Sequence, residues 1–86
     1  MQQRYIIGAV YEKDAKTPKE SAQHIIGRTG KLDLDYLELD TPMWFEYDCE
    51  ELKGKAMRTS WVKWIDKGEG SIWVHTENSV YRFNEI

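Results

Sequence analysis

A single cysteine, Cys49, excludes an intrachain disulfide, and with it the small secreted scaffolds that bridges hold together. Two histidines, His24 and His75, accompany it, without the close spacing of a zinc site. A Cys49–His nucleophile and base pair has no supporting local motif, and Cys49 reads as a small strand residue. No apolar run approaches the ~20 residues of a membrane span. The run Tyr5 to Val10 behind Met1-Gln2-Gln3-Arg4 is too short for a signal segment and contains Gly8. The chain also lacks a glycine-rich phosphate loop, a G-x-S-x-G elbow and an H-E-x-x-H helix. Asp33-x-Asp35 and Glu46-x-Asp48 offer oxygen ligands, but the glycine and terminal glutamate of a calcium loop are missing. These absences predict a cytoplasmic protein that is not an enzyme, with no cofactor, metal or membrane partner.

What remains is a chain of 86 residues, read as one domain over residues 1–86. A hydrophobic fraction of 41% and a charged fraction of 31% exclude disorder. Four Trp, five Tyr and two Phe supply the bulk that a small core needs.

Arg4 to Tyr11 reads as a strand apolar on both faces, with Gly8 marking a bulge or a close backbone approach. Thr17-Pro18-Lys19-Glu20 has the pattern of a capping box with proline at the first helical position. It predicts a short helix over Pro18 to Ile26, stopped by Gly27. Leu32 to Leu39 and Met43 to Cys49 read as a hairpin joined near Asp40-Thr41-Pro42. Ala56 to Asp66, Ser71 to Thr76 and Ser79 to Glu85 read as a three-stranded meander. The expected fold class is α+β: a small antiparallel sheet of about six strands with one short helix packed on it.

Charge is segregated along the chain. Leu32 to Leu52 holds eight acids, Asp33, Asp35, Glu38, Asp40, Glu46, Asp48, Glu50 and Glu51, and no Lys or Arg. The other residues carry all twelve bases against seven acids. Residues two apart on a strand lie on one face about 6.6 Å apart. Such a row of carboxylates loosely imitates a nucleic-acid backbone, although the phase slips near Tyr36, and the same alternation also describes a solvated sheet face. Trp61 and Trp64, three apart, point to opposite faces unless a bulge intervenes. Trp73 shares a side with Ser71 and His75. Exposed, these three tryptophans could stack a base or nucleotide beside Arg58, Lys63 or Arg82; packed, they are cross-strand aromatic pairs.

The segments Thr59-Ser60-x-Val62 and Ile72-x-Val74-x-Thr76-x-Asn78-Ser79-x-Tyr81-x-Phe83, about a quarter of the chain, resemble the ending of many small accessory proteins of bacteriophages and mobile elements. The resemblance implies a setting and no site residues: such proteins bind and disable a host defence enzyme, such as a CRISPR nuclease or a restriction system, in the host cytoplasm. The expected function is therefore an inhibitor whose acidic surface occupies the basic groove of a host nucleic-acid-binding enzyme without binding nucleic acid itself. The alternatives are a protein that sequesters a nucleotide signal between aromatics, as a homodimer or higher oligomer, and a structural or assembly module.

Overall fold

The computed structural model describes residues 2–86; Met1 lies outside the described residues. Six strands form, β1 (Gln2–Tyr11), β2 (Thr29–Asp33), β3 (Pro42–Tyr47), β4 (Ala56–Gly68), β5 (Ser71–Thr76) and β6 (Val80–Glu85). Each pairs antiparallel with its neighbour in the chain, and β6 returns to pair with β1, so the sheet closes into a barrel.

Closure rests on two long strands that change partners. The first half of β1 pairs with β2 and the second with β6. The start of β4 pairs with β3 and its end with β5. A strand that serves two neighbours in this way must bend, and both bend at bulges. In β1 the register shifts between Ile7 and Ala9, at Gly8. The side chains of Asn84 and Arg82 lie against Gly8 where a Cβ would stand.

The interior is built by alternation. Ile7, Phe45, Val62, Val74 and Phe83 are fully enclosed, with Leu32, Ile72 and Val10 around them. The Phe45 and Phe83 rings lie 5.0 Å apart at the centre, and Tyr5 meets Phe83 edge-on at 6.4 Å. Gly30 admits this packing: a Cβ there would overlap the Phe45 ring and the Glu46 carbonyl.

The barrel replaces the expected α+β arrangement of a helix on an open sheet, and no α-helix is present among the described residues. The segment expected to be helical is a six-residue 3-10 turn, Glu20–Ile25. Its cap is absent because the groups that would make it are committed elsewhere. The Thr17 hydroxyl donates to Asp14 at 2.6 Å, and the residue preceding the turn, Lys19, gives its amide to Val10 O. Pro18 bridges to Tyr11, and Gly27 N donates to Ile7 O. The connection thus runs back along the stretch of β1 that β2 does not reach and satisfies its backbone, while Ile25 joins the core.

The expected Leu32–Leu39 strand is also corrected. β2 begins at Thr29 and ends at Asp33, where Asp33 caps a 3-10 turn over Leu34–Tyr36 by accepting from the Asp35 amide. This turn is the physical origin of the phase slip near Tyr36.

Candidate functional site: the outer face of β3 and β4

β4 positions the site. Thr59 and Val62 are buried and Ile65 packs on the core, while Arg58, Trp61 and Trp64 are exposed. Each set recurs every third residue, which a regular strand with a period of two cannot do. Two register shifts resolve the conflict, one opposite Pro42–Trp44 and one between Val62 and Trp64. At the first, Thr59 replaces the interrupted ladder: its hydroxyl accepts from Met43 N at 3.0 Å and donates to Ser60 O at 2.8 Å. The bulges therefore bring both tryptophans outward.

Trp44 joins them. Met43, Phe45 and Tyr47 point into the barrel, so Trp44 and Glu46 point out. Trp44 lies opposite Arg58, whose guanidinium sits 5.9 Å from the indole centroid. Trp61 lies opposite Pro42, and Trp64 opposite His75. Trp44, Trp61 and Trp64 are 59%, 49% and 58% exposed. Leu39, in the adjoining turn, is also exposed. That turn is fastened to β4 between Trp61 and Trp64, with Asp40 N donating to Val62 O and Val62 N to Thr41 O, and the Asp40 carboxylate reaches Lys63 at 3.1 Å.

Trp73 has a different role. It stacks on Tyr11 at 5.7 Å and 5° between planes, and Arg82 covers it at 5.7 Å. This is an outer aromatic pair closing β5 and β6 against β1.

The eight acids do not form one row. Asp33 ends β2 and Asp35 lies in the turn behind it. Glu38 and Asp40 stand on the connection to β3, Glu46 on the outer face of β3, and Glu50 and Glu51 in a 3-10 turn, Glu50–Leu52. Asp48 is used internally: it accepts from Arg4 at 2.7 Å and from the Thr29 hydroxyl, which together hold its carboxyl below the usual carboxylate range. Bases distant in sequence enter among the acids. Lys31 pairs across from Glu46, and Lys31 and Lys53 line a shallow pocket with Glu46 and Asp48. Of the acids, Asp40 and Glu46 border the tryptophan face.

The remaining candidates are dispersed. His24 is exposed on the 3-10 turn after β1, His75 is half-buried on β5 and Cys49 half-buried after β3. Among the described residues no group of three or more His, Cys, Asp or Glu stands ready to hold a metal, and no helix is long and apolar enough to cross a membrane. Sequence reasoning missed Trp44, which it passed over as one more strand residue; the alternation Met43, Phe45, Tyr47 was the available signal. No protein-family model matches the chain, and neither the curated proteins nor the solved structures give a match.

Proposed function

We propose that this chain is a protein-binding module that docks on a partner protein through Trp44, Trp61 and Trp64, with the neighbouring acids selecting a basic partner surface. The observation that carries the reading is the pair of bulges in β4, which turn Trp61 and Trp64 to the same side as Trp44. A tryptophan about half exposed leaves roughly 100 Å² in water, and covering it is worth about 2–3 kcal/mol. An exposed ion pair contributes about 0–1 kcal/mol. The tryptophans therefore supply affinity, and Asp40 and Glu46 act chiefly on the rate of encounter. Trp and Arg at the centre of a patch with a charged rim is the usual anatomy of a protein interface.

Inhibition of a nucleic-acid-processing enzyme is the form this takes if the partner surface is the basic groove of such an enzyme. Capture of a nucleotide loses Trp73, which is already engaged with Tyr11 and Arg82, and would rest on the exposed Trp61 and Trp64 beside Arg58 and Lys63. The test uses the full chain as bait in a lysate of the producing cell or its host, beside the Trp61→Ala/Trp64→Ala variant. A protein retained by the wild type and lost by the variant is the expected result. Equal retention by both contradicts the reading. Conversion of a wild-type dimer to a monomer by the same change would make the partner a second copy of the chain.

A further inference from the structure

The outer face of β3 and β4 is made of two facing rows. Trp44 and Pro42 stand two apart on β3, and Asp40 continues their row in the turn before it. Arg58, Trp61 and Lys63 form the other row on β4. Each pair across the rows is complementary. The Arg58 guanidinium lies 5.9 Å from the Trp44 centroid, Pro42 stands opposite Trp61, and Asp40 reaches Lys63 at 3.1 Å. Arg58 and Lys63 balance Asp40 and Glu46, so the face is neutral although the chain carries a formal charge of −3.

Rows that complement each other also complement a second copy. A two-fold axis lying in the face, between the rows and parallel to them, sets each residue over its own cross-row neighbour in the other copy. Trp44 then meets Arg58 of the second copy, Pro42 meets its Trp61, and Asp40 meets its Lys63. A two-fold axis across the strands would instead turn Arg58 toward Lys63 of the second copy, and like charges would repel. We propose that this face pairs with a second copy of the chain about the axis parallel to the rows, forming an isologous homodimer. The inference rests on the tryptophan-face reading and names its partner: the base that Asp40 selects is Lys63 of the second copy. The available area agrees. Trp44, Trp61, Trp64 and Leu39 are each about half exposed and together leave roughly 400 Å² of apolar surface in water. A standard interface covers about 800 Å² on each partner, of which about 56–65% is apolar, or roughly 450–520 Å². The face supplies most of that, which sets the dimer at the weak, micromolar end of stable interfaces.

Sedimentation velocity of the full chain, from micromolar to millimolar concentration, tests the inference. The expected result is a mass that rises with concentration from one chain to two. Trp61→Ala should weaken the association at least roughly tenfold. Asp40→Lys and Lys63→Asp should each do the same, because either change sets like charges against one another at both symmetry-related contacts. Mixing these two variants should restore a dimer containing one copy of each, since each supplies the charge the other lacks. A wild type that stays monomeric overturns the inference, as does a dimer indifferent to Trp61→Ala or a mixture no more associated than its components. Asp40 has a φ of 61°, which aspartate tolerates better than lysine. If Asp40→Lys fails to fold, Lys63→Asp and Trp61→Ala decide together. A monomeric wild type that captures a different protein through Trp61 and Trp64 sinks the homodimer and leaves the tryptophan-face reading standing. Association or capture that survives Trp61→Ala/Trp64→Ala sinks both.

Discussion

Gly30 shows how much a single residue decides in so thin a wall. Phe45 and the Glu46 carbonyl occupy the space of its missing side chain. Gly30→Ala should cost about 1–3 kcal/mol, the usual range for overpacking, as a lower urea midpoint. Asp48 makes a second residue-scale case. Its folded pKa is held below the ordinary ~3.9 of an aspartate, first by the hydrogen bond from Arg4 and then by that from Thr29. The stability it contributes is therefore fully present above that value and is lost as pH falls through the depressed folded pKa. Unfolding followed below about pH 4 should show a shallower loss in Asp48→Asn than in the wild type. Asp14 is held lower still, at about 2, by the Thr17 hydroxyl and the Thr17 and Lys16 amides. In Thr17→Ala a carboxyl titration by NMR should move it back toward the ordinary value. The sequence reading made Thr17 the cap of a helix, whereas its hydroxyl turns back to Asp14 and no helix follows. A threonine ahead of Pro-Lys-Glu looks the same whether its hydroxyl turns forward to a helix or back to Asp14.

Elements were legible where a period of two runs unbroken. β5 reads inward at Ile72 and Val74, and β3 at Met43, Phe45 and Tyr47, as alternation requires. The bulge at Gly8 was legible because glycine marks it. The two bulges of β4 carry neither glycine nor proline, and there the period breaks without a signal, so the side taken by Trp61 and Trp64 could not be read. The Thr59-Ser60 bulge makes a testable claim about this element. Thr59→Val keeps the shape and removes the hydroxyl, leaving the Met43 amide without its acceptor. The expected loss is about 1–3 kcal/mol, the cost of an unsatisfied buried donor, measured by denaturant unfolding. A change within ±0.5 kcal/mol would show that the backbone relaxes to restore the ladder.

At the scale of the whole molecule, closure was out of reach of the sequence, because it depends on β6 meeting β1 from opposite ends of the chain. Two local misreadings hid it: a helix where the chain only covers the free stretch of β1, and a long second strand where β2 stops early. Closure also governs the candidate site. It buries the apolar side of every strand and leaves Trp44, Trp61 and Trp64 outside, where they contribute little to the fold. It also scatters the acidic segment, so that its eight carboxylates border several surfaces instead of forming one. The most direct measurement compares the wild type with Trp61→Ala/Trp64→Ala, both in urea unfolding and in binding to the captured partner. Unfolding free energy within about 0.5 kcal/mol of the wild type for each substitution, with binding weakened at least roughly a hundredfold, is the expected result. Unchanged partner affinity, or a loss of about 3 kcal/mol or more in stability of the kind a core aromatic shows, would contradict it.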